Sequence, residues 1–179
     1  ALDSDVFDET MVSTEDGEIA AVAEEYRAAV PFTRPAELAT DTAQVVDVLD
    51  HVLKQYESRG EDISELGVLF PTAPLRTAAD VENAYEKFTT HGDASFLMSV
   101  TDYTYSPVQA LAEEGGFLTP YWDNTEGVNS RSQDQADLVV SNGAIYFMET
   151  DAYKDQRTFY GDSLIGYQMP SERSVDIDE

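Results

Sequence analysis

The sequence predicts an α/β fold, a parallel sheet with helices on both faces, and three observations carry that expectation. Strand-like and helix-like segments alternate three times before residue 101, the order that crossover connections between parallel strands require. Leu66–Phe70 is a short apolar run without alternation, the pattern of a strand covered on both faces, although a run of that length also suits a core helix. The 179 residues, 42% of them apolar, suffice for one core and are too few for two comfortable ones, so residues 1–179 are expected to form a single domain.

Taken in order, Thr10–Thr14 reads as a strand closed by Glu15-Asp16-Gly17, and Glu18–Ala29 as a helix with Ile19, Val22, Ala23 and Tyr26 on one face. Val30-Pro31-Phe32 fits a brief edge strand, where proline is tolerated. The next helix is predicted over Thr42–Arg59, with Val45, Leu49, Val52 and Tyr56 inward, an Asp50–Lys54 pair outside and Gly60 as its stop. Leu66–Phe70 then runs into a loop stiffened by Pro71 and Pro74. Thr77 and Asp80 have capping-box spacing before a helical stripe that ends at His91-Gly92. Ala94–Val100, Gly143–Met148 and Leu164–Met169 read as further strands, whereas Thr101–Ser130, with Pro107, Gly115-Gly116 and Pro120, suggests strands or hairpins projecting from the sheet.

Composition narrows the function. Thirty-six acidic residues stand against ten basic ones, a formal charge of −26, and the resulting field repels nucleic acid and anionic membranes. An acidic partner-binding protein is one reading. A solvated acidic surface, as in proteins adapted to high salt, is favoured, because screening relieves the self-repulsion. The absence of cysteine removes disulfides, thiolate metal sites and cysteine nucleophiles. No signal-peptide pattern and no apolar run near 20 residues is found, so a cytoplasmic protein is expected.

Several clusters have chemical potential, each beside a plainer reading. Arg76, in the loop after Leu66–Phe70, offers a forked cation at the carboxyl end of a strand, where open α/β sheets bind ligands. Asp176 and Asp178, two apart in an extended segment, point to one side with Ile177 turned inward, and such a pair can hold magnesium against a phosphate; Asp3 and Asp5 show that the spacing also arises by chance. Arg131 can clamp a carboxylate with Gln133 beside it, or pair with a neighbouring acid. Tyr146 and the Phe159-Tyr160 pair can face a ligand or pack in the core. Neither His51 nor His91 has a partner suggesting a triad or a zinc site.

In this order, Val12-Ser13-Thr14-Glu15-Asp16, Arg34-Pro35-Ala36-Glu37-Leu38-Ala39-Thr40-Asp41-Thr42, Pro71-Thr72-Ala73-Pro74-Leu75-Arg76, Asn142-Gly143-Ala144-Ile145-Tyr146 and Asp176-Ile177-Asp178 resemble the acylneuraminate cytidylyltransferases, which make CMP-activated sialic, legionaminic and pseudaminic acids. The resemblance covers nearly the whole chain. It implies a Rossmann-like nucleotide-diphospho-sugar transferase fold with a mostly parallel sheet, in which CTP donates CMP to the anomeric hydroxyl of a nine-carbon 2-keto-3-deoxy sugar acid. It also implies Mg2+ on Asp176 and Asp178, nucleotide binding by Arg34, Ala36, Pro71 and Thr72, and sugar contacts from Arg131, Gln133, Asn142, Tyr146, Phe159 and Tyr160. A homodimer is implied as well, with residues 101–133 projecting toward the neighbouring site.

Departures from the pattern accompany the matches. The family's glycine- and lysine-containing phosphate loop and its first strand have no counterpart, so an N-terminally truncated chain is expected, with the first strand missing. A non-catalytic sugar-binding or assembly module lacking that loop is the alternative. A calcium-binding surface protein is a third reading, without a calcium-loop pattern to support it. Phe70 stands where sialic-acid enzymes often place glutamine. Arg131–Asp134 resembles the pseudaminic type, Asn142–Tyr146 the sialic or legionaminic type, and the sugar stays open.

Overall fold

The computed structural model describes residues 1–122 and 136–177. Its strands are β1 (Glu65–Val68), β2 (Phe96–Asp102), β3 (Leu111–Glu114), β4 (Phe117–Pro120), β5 (Val139–Glu149) and β6 (Leu164–Gln168); its α-helices are α1 (Gly17–Glu25), α2 (Val45–Ser58), α3 (Ala78–Thr90) and α4 (Thr150–Gln156). The main sheet has the order β1-β5-β2-β6. β5 is antiparallel to both of its neighbours, and β2 and β6 are parallel. Thus β1, β2 and β6 share one direction, in keeping with the mostly parallel sheet expected, and β5 opposes them and makes the sheet mixed. A parallel neighbour needs a crossover helix. The chain leaves β2 through a short 3-10 turn at Pro107–Gln109 and the β3–β4 hairpin instead, and returns as β5 with no α-helix among the described residues between them.

Helices cover both faces, as the alternation predicts. Leu49 and Leu53 of α2 and Tyr153 of α4 pack on Leu66, Phe96, Met98, Tyr146 and Met148. Val81, Ala84 and Phe88 of α3 pack on Leu97, Ile145, Phe147 and Met169 from the other side. α4, absent from the sequence reading, is fixed to α2: the Tyr153 hydroxyl donates to the Val46 carbonyl and to Asp50 (both 2.9 Å), and Arg157 pairs with Asp47 and Asp50. Asp50 is therefore paired with Arg157, not with Lys54.

The first lobe is more loosely built than its pattern implies. The strand expected at Thr10–Thr14 reduces to a single parallel bridge between Met11 and Ala29. α1 ends at Glu25 rather than at Ala29 and buries none of its residues: Ile19 and Val22 are each 54% exposed, and Tyr26, just past its end, is 71% exposed. β1 is an edge of the sheet among the described residues, and Gly67 lies under the ring of Phe7, which a Cβ would strike. No helix among the described residues is long and apolar enough to cross a membrane.

Two polar devices set the geometry above the sheet. Between Met98 and Val100 the β2–β5 register jumps, from Met98 opposite Tyr146 to Val100 opposite Ser141, so β5 bulges through Asn142–Ile145 with Gly143 at φ +68°. The buried Ser99 hydroxyl fills the interrupted ladder: it donates to Asn142 Oδ1 (2.5 Å) and accepts from the Ile145 N–H (2.8 Å). At the start of α3, Thr77 and Asp80 form the predicted capping box. The buried Asp80 carboxylate also accepts from Arg173 Nη2 (2.7 Å) and Nε (3.1 Å), fastening the C-terminal segment to the helix.

Ser99→Ala leaves the Ile145 N–H and one Asn142 lone pair without their partner, so it should lower unfolding free energy by about 1–3 kcal/mol in urea titration. For Asp80 burial favours the neutral acid, but the bonds from Arg173 and Thr77 outweigh it and hold the pKa below its usual 3.8. A depressed pKa gives stability that is full above 3.8 and is lost as pH falls through the lower folded value. Asp80→Asn should cost about 2–4 kcal/mol at neutral pH. Its deficit relative to wild type should shrink below pH 3.8 in the same titration.

Candidate active site

Over the β5 bulge lies a cavity of about 400 Å³, walled by Phe70, Thr101, Val140, Ser141, Asn142, Gly143, Tyr146, Tyr160, Ser174 and Asp176. Gly143 is its floor. A Cβ built there would lie 3.9 Å from Asp176 Oδ2 and 3.9 Å from the Phe70 ring, ordinary contact distances that place both side chains beside this stretch of backbone. The positive φ of +68° explains why the position holds glycine.

Asp176 is exposed, on a segment without regular structure that three contacts hold in place. Arg173 binds Asp80, Asn142 Nδ2 donates to Ser174 Oγ (2.9 Å), and the Ile177 N–H donates to the Thr72 carbonyl (2.8 Å). The last contact brings the Pro71-Thr72 loop beside Asp176. Ile177 is 60% exposed, not turned inward as the alternation predicts, because a single backbone bond, without a strand pairing, fixes the segment here. Among the described residues no three acids or histidines converge. The carboxylate of Asp176 is a hard oxygen donor free of any salt bridge within them, which suits a magnesium ion that keeps most of its water.

Aromatic rings build one wall. Phe70 and Tyr146 have centroids 5.4 Å apart, Tyr146 and Phe159 4.9 Å, and Phe70 and Phe159 6.3 Å, all tilted or edge-on. Phe159 supports the wall from behind, and Tyr160, 69% exposed, stands at the rim. The Tyr146 hydroxyl meets Ser141 Oγ at 3.0 Å. Burial raises its pKa above the usual value, reinforced by Tyr160 and Asp176 and opposed by Ser141, so the phenol stays neutral and serves as a hydrogen-bonding group rather than a base.

Other residues singled out by sequence lie differently. Asn142 belongs to the wall, yet its amide is engaged inside: Oδ1 accepts from Ser99 and the Ala144 N–H, and Nδ2 donates to Ser174 and Met169. Arg76 is no ligand clamp. Its Nη1 donates to the carbonyls of Phe70 (2.5 Å), Ala73 (3.2 Å) and Ala144 (3.2 Å), stapling the loop to the bulge, and burial lowers its pKa. Arg34 lies away from the cavity wall, its Nε and Nη2 on Glu15 and its N–H on the Thr14 carbonyl; Ala36 lies in the same loop. Arg131, Gln133 and Asp178 lie outside the described residues. Ser99 and Ser174 went unremarked in the sequence, although a serine inside the apolar run Phe96–Val100 is itself a signal of a buried polar role.

Comparison with known proteins gives this arrangement a family. The cytidylyltransferase family model matches residues 1–162. The pseudaminic acid cytidylyltransferase of Campylobacter jejuni is 30% identical over 178 residues, 99% of this chain and 76% of that protein. The CMP-N,N'-diacetyllegionaminic acid synthase of Legionella pneumophila is 26% identical over 179 residues, 99% of this chain and 76% of that protein. The N-acylneuraminate cytidylyltransferase of Escherichia coli is 28% identical over 179 residues, all of this chain and 41% of that protein. The mixed α/β sheet, the acidic residue above a glycine floor and these matches agree, and the chain belongs to the cytidylyltransferase family.

Proposed function

We propose that this enzyme transfers CMP from CTP to the anomeric hydroxyl of a nine-carbon 2-keto-3-deoxy sugar acid and releases pyrophosphate. The observation that carries the reading is the cavity over Gly143, where a carboxylate and aromatic rings line a space of about 400 Å³, within the range of small-ligand sites. The activities named for the relatives above support the same chemistry.

In the reaction the anomeric oxygen bonds to the α-phosphorus of CTP, the bond from that phosphorus to the bridging oxygen of pyrophosphate breaks, and the hydroxyl proton is released. Asp176, with Asp178, would hold a magnesium ion, which supplies charge neutralisation at the phosphates. The residues themselves position the reactants. Gly143 lets the sugar approach the backbone, Phe70 and Tyr146 with Phe159 behind them set its orientation, and Tyr160 closes the rim. Arg131 with Gln133 would meet the sugar's carboxylate. The loop of Arg34 and Ala36 would take the nucleotide, with Pro71 and Thr72 at the border between the two ligands. The projecting hairpin, where Phe117 is 79% exposed and Leu118 61%, and the preceding Tyr105, 86% exposed, would meet a second copy in a homodimer.

Asp176→Ala should reduce magnesium-dependent pyrophosphate release from CTP and a sugar acid by about 100-fold or more, while the melting temperature stays near that of wild type, because Asp176 is exposed and outside the packed core. Unchanged release at limiting magnesium would sink the metal assignment.

A further inference from the structure

One group in the cavity wall has no task in the empty site. Thr101 lines the cavity, and its Oγ1 is buried without a hydrogen-bond partner among the described residues. The residue stands at the carboxyl end of β2, an interior strand, where α/β sheets receive ligands. Ser99, earlier on the same strand, shows the contrast, since its hydroxyl donates to Asn142 and accepts from the Ile145 N–H. Buried polar atoms of Ser13, His51 and Thr150 also lack partners, but none of those residues belongs to this wall. A buried hydroxyl left unpaired costs stability, so one beside a ligand cavity calls for a physical reason.

The other polar groups of the wall are already served. Ser141 meets Tyr146, Asn142 binds Ser99 and Ser174, and Ser174 donates to the Pro170 carbonyl. Asp176 and Tyr160 are exposed, so a ligand bonding to either must displace water from it. At Thr101 no such exchange is needed, and a bond made there is a net gain on the protein's side.

We infer that Thr101 is a further recognition residue of this site: in the reaction proposed above, on which this inference rests, its hydroxyl bonds to a hydroxyl of the sugar acid. The oxygen is covered in the empty site, so it reaches the ligand by a step of χ1 between staggered wells, which keeps the side chain in the same volume.

Thr101→Val keeps the shape and removes the hydroxyl, and two readouts together separate recognition from structure. The first is calorimetric titration in magnesium with N-acetylneuraminic, N,N'-diacetyllegionaminic and N,N'-diacetylpseudaminic acids and with CTP. The acid that wild type binds most tightly should bind Thr101→Val about tenfold less tightly, with CTP affinity unchanged, and Thr101→Ser, which keeps a hydroxyl, should stay within about threefold of wild type. The second is urea titration without ligand, in which Thr101→Val should be at least as stable as wild type, because it removes an unpaired polar atom. Unchanged sugar-acid affinity in Thr101→Val overturns the inference and leaves the transfer reaction standing. A loss confined to CTP assigns the hydroxyl to the nucleotide and overturns the sugar contact. A fall in ligand-free stability gives the hydroxyl a structural task and overturns the inference as well. No binding of any acid by wild type overturns the proposed reaction, and this inference with it.

Discussion

A hydroxyl buried in the middle of the sheet is the constraint on which the site rests. Ser99 takes the Ile145 N–H that loses its ladder partner when β5 bulges and holds the Asn142 Oδ1 that takes the Ala144 N–H, while Arg76 takes the Ala144 carbonyl, so the buried backbone groups of the bulge keep partners. The bulge turns Gly143 upward as a floor and aims the Asn142 amide at Ser174, two residues before Asp176. Strand register, floor and carboxylate therefore share one origin. Bulges beside functional sites commonly re-aim side chains, and here the bulge aims a whole segment.

The scarce cations of this acidic chain hold loops in place. Arg76 gathers three carbonyls from its own loop and from β5, Arg173 grips the buried Asp80, and Arg157 bridges two aspartates of α2. The arginine fork suits each of these sites, since one planar group reaches several acceptors that an ammonium would meet singly. Partly buried pairs are also less screened by salt than exposed ones, so the Asp80–Arg173 contact keeps its strength where surface pairs lose theirs.

Features that depend on neighbouring residues were readable from the sequence. The Thr77–Asp80 box, the apolar stripes of α3 and of α2 apart from the exposed Val45, and the Gly115-Gly116 turn of the β3–β4 hairpin are all set by local hydrogen bonding and periodicity. What failed depends on distant partners. The direction of β5 follows from how the chain returns to the sheet, and its residues carry no mark of it. Arg76 looked like an anion clamp because the Ala144 carbonyl that engages it lies 68 residues away. α4 is seven residues long, and its stability comes from α2 through Tyr153 and Arg157 rather than from a stripe of its own. The motif residues Asn142, Tyr146 and Asp176 do gather at one cavity, yet the amide of Asn142 points into the structure, a distinction that only its partners reveal.

The most direct test of the account is the backbone amide resonance of Gly143 in the isotopically labelled protein, followed as a sugar acid is added with magnesium. A saturable shift centred on Gly143, Tyr146 and Asp176, absent in Ser99→Ala at a temperature where that variant remains folded, is the result predicted. Saturable binding that shifts resonances elsewhere and leaves Gly143 untouched would contradict the claim that the β5 bulge builds the sugar site.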